Sequence, residues 1–126
     1  MKNTKYTQRN ALSIGNTSVC PAFGVAYAAQ GIQKCIVYSH GSSGCARIIK
    51  NSFFTVFGEH IKIATDHLKE YDAIYGGEEK FLQGIKNIFQ YYNPDLLAIV
   101  TTCMTETIGD NMEDFLKNAE IPAGKY

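Results

Sequence analysis

The 126-residue sequence has no excess of charge of either sign, because 12 lysines and arginines balance 12 aspartates and glutamates. This balance gives no sign of a nucleic-acid partner or of an anionic membrane surface. No apolar run approaches the roughly 20 residues of a membrane span. The polar, basic residues 1–10 contain no apolar segment of signal-peptide type. A soluble cytoplasmic protein is therefore the default expectation.

Several motifs that would define an active site are also missing. No two cysteines have the C-x-x-C spacing of many metal and redox sites. Ser42 and Ser43 do not lie in the G-x-S-x-G pattern of a hydrolase nucleophile. The glycines around them are not followed by the lysine of a phosphate-binding P-loop. Hydrolase chemistry and Walker-type nucleotide binding are therefore disfavoured.

The sequence does have a regular alternation of apolar patterns, with 45% apolar residues. Short apolar runs at 35–39, 61–64 and 95–100 predict strands, and the patterns at 21–30, 45–57, 78–92 and 111–118 predict helices. This order is typical of βαβ units. We expect an α/β, Rossmann-like, three-layer domain with a mostly parallel sheet over residues 16–126, preceded by a flexible N-terminal arm at 1–15.

Four cysteines are present, and three of them share one kind of position. Cys20 precedes a predicted helix, Cys45 begins one after the strand at 35–39, and Cys103 follows the strand at 95–100. Helix N-termini favour thiolate, the form that binds metal. Cys35 instead starts an apolar strand, where a free cysteine packs as a small hydrophobe. In a reducing compartment all four are expected to be free or metal-bound rather than disulfide-bonded.

Two interpretations of the three junction cysteines stay open on spacing alone. They are either ordinary free thiols or ligands of a metal or iron–sulfur group. As ligands they are one short of a closed four-coordinate site. A metal-binding interpretation therefore also predicts an interface, where a second polypeptide supplies the missing ligand.

For the remaining polar candidates, structural roles are preferred over catalytic or metal-binding ones. His40 begins a predicted Gly/Ser loop at 40–44 and is more readily a hydrogen-bonding residue than a ligand. His60 and His67 are expected at the surface. Glu106 and Asp110 are interpreted as first-turn charges that favour the following helix.

The strings CPAFG at 20–24, YSHGSSGC at 38–45, IYGG at 74–77 and TTCMTETIGD at 101–110 together resemble the N-terminal domain of nitrogenase component 1. The resemblance is strongest to the β subunits of the molybdenum–iron, vanadium–iron or iron-only enzymes. It extends from about residue 16 to the end of the chain. Because such subunits are several times longer, the chain is expected to be a fragment of one.

The resemblance implies an oxidoreductase role in nitrogen fixation, with no catalytic residue on this chain. It implies that Cys20, Cys45 and Cys103 hold half of a P-cluster, an 8Fe-7S electron relay shared with the α subunit of a heterotetramer. The iron protein would be the electron donor, docking near Tyr75. Backbone N–H groups of the cluster loop, defined as residues 41–44, would adjust the cluster potential. That loop consists of Gly41, Ser42, Ser43 and Gly44.

Alternatives from the same superfamily and outside it remain at this point. One is a cofactor-assembly scaffold or a tetrapyrrole-reductase-like subunit with a 4Fe-4S cluster. The other is a truncated, non-enzymatic remnant that binds no cluster. The isolated chain is not expected to be active as an enzyme in any of these cases.

Overall fold

The computed structural model describes residues 20–122 of the chain. The predicted N-terminal arm at 1–15 lies outside these residues. The described elements are, in chain order, α1 (Pro21–Ala29), β1 (Cys35–His40), α2 (Ser43–Phe57), β2 (Ile63–Thr65), α3 (Glu70–Tyr75), α4 (Glu78–Tyr91), β3 (Leu96–Thr101), α5 (Cys103–Ile108) and α6 (Met112–Lys117).

The strands form a parallel sheet in the order β2-β1-β3. Strand β1 lies in the middle and all six of its residues are buried. It pairs with β3 from Cys35 opposite Leu96 to His40 opposite Thr101. Because the strands are parallel, their carboxyl ends meet at one edge, and the segments that follow them lie together there.

Helices α1 and α2 cover one face of the sheet. Helix α1 begins with Pro21, which suits the first helical position because proline has no N–H to leave unsatisfied. It buries only alanines, so it approaches the sheet closely. Helix α2 contributes Ile49 and Phe53 to the same core. This core cluster consists of Ala22, Ala26, Ala29, Cys35, Val37, Ile49, Phe53, Ile61 and Val100.

Helices α4 and α6 cover the other face. Ile36 and Tyr38 of β1 pack there against Phe81 and other apolar residues of α4. Gly84 of α4 lies directly over Tyr38, since a β-carbon at Gly84 would come within 2.0 Å of the tyrosine hydroxyl oxygen. Glycine at this position therefore allows the helix to rest on the sheet.

The predicted three-layer α/β class and parallel sheet are confirmed. Three local predictions were wrong. His40 is the last residue of β1 and not part of a loop, because it pairs with Thr101. Helix α2 begins two residues early, at Ser43, where the hydroxyl of Ser42 accepts a hydrogen bond from the N–H of Gly44 at 3.2 Å. Helix α3 was not predicted.

No helix among residues 20–122 has the length and apolar character needed to cross a membrane.

Candidate functional site

The three junction cysteines all lie at the starts of helices. Cys20 is the residue before α1, Cys45 is the third residue of α2, and Cys103 is the first residue of α5. Cys20 and Cys103 are exposed and Cys45 is half-buried. Their predicted positions at helix starts are confirmed.

The pKa of the Cys45 thiol is affected by the other two junction cysteines. Burial raises the pKa of Cys45, and the negative charges of Cys103 and Cys20 raise it further. Cys45 therefore lies near enough to Cys20 and to Cys103 for their charges to act on it. Across residues 20–122, however, no three cysteine, histidine or acidic side chains converge tightly enough to hold a single metal ion.

Cys35 lies apart from this group. It is the first residue of β1, is 8% exposed, and belongs to the core under α1 and α2. Burial raises the pKa of its thiol. The prediction that Cys35 packs as a small hydrophobe is confirmed.

The cluster loop, residues 41–44, connects β1 to α2 beside Cys45. The N–H of Gly41 donates to Asp66 Oδ1 at 2.9 Å, and the N–H of Gly44 donates to Ser42 Oγ at 3.2 Å. These two donors are thus used within the chain. Gly41 has a φ of 141°. This value and the closeness of Thr102 both require glycine at position 41.

His40 is fully buried between two carboxylates. Its Nδ1 contacts Asp66 Oδ2, and its Nε2 lies 3.0 Å from Asp110 Oδ2. Asp66 also accepts from the hydroxyl of Tyr38 at 3.2 Å, and Asp110 accepts from the N–H of Gly77 at 3.3 Å. We call His40, Asp66 and Asp110 the histidine clamp.

The clamp joins four segments that are distant in sequence. It connects the end of β1, the residue after β2, the turn before α4, and the segment after α5. Burial lowers the pKa of His40, but the hydrogen bonds and charges of Asp66 and then Asp110 outweigh this effect and raise it overall. A protonated imidazole can donate from both nitrogens, which suits two carboxylate partners.

The histidine clamp tests several sequence interpretations. His40 is a hydrogen-bonding residue, as predicted, and His60 and His67 are exposed, as predicted. The interpretation of Asp110 as a helix first-turn charge was wrong, since it lies after α5 and bonds His40. Asp66 was missed. Asp66 could have been found by the criterion that selected Cys103, because it directly follows a strand at the carboxyl edge of the sheet.

Tyr75 lies on an exposed apolar surface. It is 71% exposed at the end of α3, beside Tyr71 and Ile74, which are 68% and 75% exposed. The rings of Tyr71 and Tyr75 are 4.5 Å apart. Because α3 also contacts α5, this surface adjoins the helix that begins with Cys103. We call Tyr71, Ile74 and Tyr75 the α3 patch.

A model of a known protein family covers all of the described residues. The model for nitrogenase component 1 type oxidoreductases matches residues 20–125. The chain therefore belongs to this family.

The individual relatives are β chains. The chain is 37% identical over 122 residues to the nitrogenase molybdenum-iron protein beta chain of Clostridium pasteurianum, covering 94% of this chain and 27% of that protein. The corresponding protein of Azotobacter vinelandii is 34% identical over 113 residues, covering 90% of this chain and 22% of that protein. The chain thus spans about a quarter of the length of these relatives.

A solved structure agrees with this assignment. The structure titled "Nitrogenase Cp1 at pH 6.5" superposes with a TM-score of 0.81 at 37% sequence identity. The superposition covers 84% of this chain and 24% of that one. The fold of the described residues is thus that of part of a nitrogenase component 1 chain.

Proposed function

We propose that this chain supplies Cys20, Cys45 and Cys103 to an iron–sulfur cluster that it shares with an α-type subunit. The observation that carries the proposal is the grouping of three thiols at the starts of α1, α2 and α5. The charges of Cys20 and Cys103 act on Cys45, but the three thiols do not converge on a single ion. Ligands of a multinuclear cluster need this wider spacing, because each binds a different iron atom.

The residues present fit such a group chemically. Thiolate is the protein ligand that iron–sulfur clusters use. Burial and the neighbouring thiolates disfavour the charged form of Cys45. Cationic iron would reverse that penalty, since a coordinating thiol is deprotonated outright. Three thiols leave the ligand set incomplete, which favours a cluster of P-cluster type, 8Fe-7S, at a subunit interface.

When bound, the cluster would store electrons and pass them on, giving the chain its oxidoreductase role in nitrogen fixation. The chain itself holds and orients the ligands. Asp66 anchors the N–H of Gly41 and thereby fixes the cluster loop that leads to Cys45. The N–H groups of Ser42 and Ser43 are the remaining loop donors that could face cluster sulfur. A cytoplasmic location would keep all these thiols reduced.

The α3 patch is proposed as part of the docking surface for the iron protein reductase. Tyrosine is among the residues most enriched in binding hot spots, together with tryptophan and arginine. The histidine clamp links this region to the cluster loop, because Asp110 bonds both Gly77, two residues after Tyr75, and His40. A reductase docked at the α3 patch would therefore contact a region that the histidine clamp joins to the cluster loop.

Anaerobic reconstitution of the chain, with and without an α-type subunit, tests the proposal. Iron counting and EPR should show an eight-iron cluster only when both subunits are present. A four-iron cluster would instead support the scaffold or tetrapyrrole-reductase-like alternative. The absence of bound iron in both settings, with Cys20, Cys45 and Cys103 all open to alkylation, would support the non-enzymatic alternative.

A further inference from the structure

The charges of the chain are distributed unevenly along the sequence. Residues 66–120 contain 11 of the 12 acidic residues against only 4 of the 12 basic residues, an excess of seven negative charges. Residues 20–65 contain one acidic residue and four basic ones. Helices α3 to α6 all belong to the acidic region, so the α3 patch lies within it. Such a region attracts a partner whose contact surface is basic.

A surface cleft of about 580 Å³ opens beside the α3 patch, between α3 and the start of α4. Tyr71 and Tyr75 of the patch line this cleft, and so do Glu78 and Glu79 of α4. The planes of the two tyrosine rings are inclined by 34°. Because the face of an aromatic ring attracts cations, tyrosine rings beside carboxylates form a surface that suits a cationic group.

Two lysines also line the cleft, and one of them is already paired. The ammonium of Lys80 donates to Asp72 Oδ2 at 2.6 Å, so these two charges compensate each other. Lys69, Glu78 and Glu79 have no salt-bridge partner among residues 20–122. The lining therefore keeps two uncompensated carboxylates against one free ammonium, and the cleft is negative on balance.

We propose that this cleft receives an arginine side chain of the iron protein reductase when the reductase docks on the α3 patch. The inference rests on the docking surface proposed above and adds the chemistry of one contact. A guanidinium group is planar, so it can stack on a tyrosine ring while its N–H groups donate to the Glu79 carboxylate. The compact ammonium of a lysine is less suited to making both contacts at once.

Titration of the iron protein against the chain reconstituted with an α-type subunit tests the inference. Glu79→Gln should weaken binding about fivefold, because it removes the charge and keeps the size of the side chain. Lys69→Gln should change the affinity in the opposite direction. Glu113→Gln is the matched control, since Glu113 is an exposed glutamate of α6 in the acidic region but does not line the cleft. At physiological ionic strength it should change the affinity by less than about twofold.

A double-mutant cycle identifies the group that enters the cleft. Each exposed arginine and lysine of the reductase is replaced with glutamine and tested against the wild-type chain and against Glu79→Gln. One arginine should cost about as much affinity as Glu79→Gln does, and combining the two changes should cost little more than either alone. Coupling of Glu79 to a lysine would overturn the assignment of a guanidinium. Coupling to no basic residue of the reductase would overturn the inference as a whole.

Tyr75→Ala separates failure of this inference from failure of the proposed docking surface. If Tyr75→Ala weakens binding while Glu79→Gln behaves like Glu113→Gln, the inference about the cleft is overturned and docking at the α3 patch is retained. If neither Tyr75→Ala nor Glu79→Gln weakens binding, both proposals are overturned. Circular dichroism of each variant checks that it is folded, and Glu79→Gln should pass this check because the Glu79 side chain is exposed.

Discussion

Replacing His40 with leucine should strongly destabilise the fold, because two carboxylates depend on this side chain. The side chains of His40, Asp66 and Asp110 are 0%, 1% and 6% exposed. Leucine fills a similar space but offers no donor, so Asp66 loses one of its partners and Asp110 keeps only the long contact to Gly77. Breaking a buried charge pair typically costs about 3–5 kcal/mol.

That cost is a large part of the roughly 5–15 kcal/mol that stabilises a typical domain. Urea unfolding of the full chain, followed by circular dichroism, should therefore show a much lower midpoint for His40→Leu. His67→Asn is the matched control. His67 is exposed and has a φ of 54°, which asparagine tolerates. It should unfold within about 0.5 kcal/mol of the wild type.

The same variant tests the protonation of His40. Because the folded-state pKa of His40 is raised above 6.5, its contribution to stability is complete below that value. It is lost as the pH rises through the raised pKa. The stability difference between wild type and His40→Leu should thus shrink as the pH rises above 6.5 and through the raised pKa of His40. A difference as small as that of His67→Asn, or one that grows with pH, would refute the reasoning.

Two further comparisons rest on single contacts. Gly84→Ala should destabilise by about 1–3 kcal/mol in urea unfolding, because its methyl group would overlap the Tyr38 hydroxyl. A β-carbon at Gly24 would have no atom within 4 Å, so Gly24→Ala should instead raise the free energy of unfolding by about 0.5–1 kcal/mol. Equal effects of the two changes on stability would contradict this packing. Tyr75→Ala should weaken binding of the iron protein about tenfold or more, measured by titration of the reconstituted complex. Tyr91→Ala, similarly exposed at 73% but at the far end of α4, should leave that binding unchanged, and equal losses would argue against docking at the α3 patch.

Apolar patterns in the sequence predicted much of the architecture. The strands at 35–39 and 95–100 could be identified because strands of a parallel sheet are continuous apolar runs. All six residues of β1 are buried, whereas five of the six residues of β3 are half-buried. The predicted strand at 61–64 was displaced, since the structure forms β2 at Ile63–Thr65. Ile61 is buried in the core without being part of the ladder. Apolar character alone could not distinguish burial from strand pairing.

Other features depend on tertiary contacts that a local pattern does not carry. Helix α3 has only six residues and no apolar periodicity. Asp72 stabilises its start by accepting the N–H of Lys69 and the ammonium of Lys80, each at 2.6 Å. Ile48 and Val56 are two of the apolar residues in the helix predicted at 45–57, but each is 67% exposed. The apolar spacing identified the helix correctly without showing which residues it buries.

The candidate site divides in the same way. The positions of the three junction cysteines at helix starts could be predicted from local sequence signals. Cys20 is followed by a proline, Cys45 follows a Gly/Ser segment, and Cys103 follows the end of an apolar run. The histidine clamp could not be predicted in this way, because its members are far apart in sequence. Asp66 lies 26 residues after His40, and Asp110 lies 70 residues after it. Only the parallel register brings them to one edge of the sheet.

The iron content of single cysteine variants tests the central claim most directly. Each of Cys20→Ala, Cys45→Ala and Cys103→Ala would be reconstituted with an α-type subunit and compared with Cys35→Ala, the buried cysteine of β1. We expect less iron per complex and an altered EPR signal for each of the three junction variants. Cys35→Ala should keep the wild-type iron content among complexes that remain folded. Wild-type iron content in all four variants would contradict the assignment of the junction cysteines as cluster ligands.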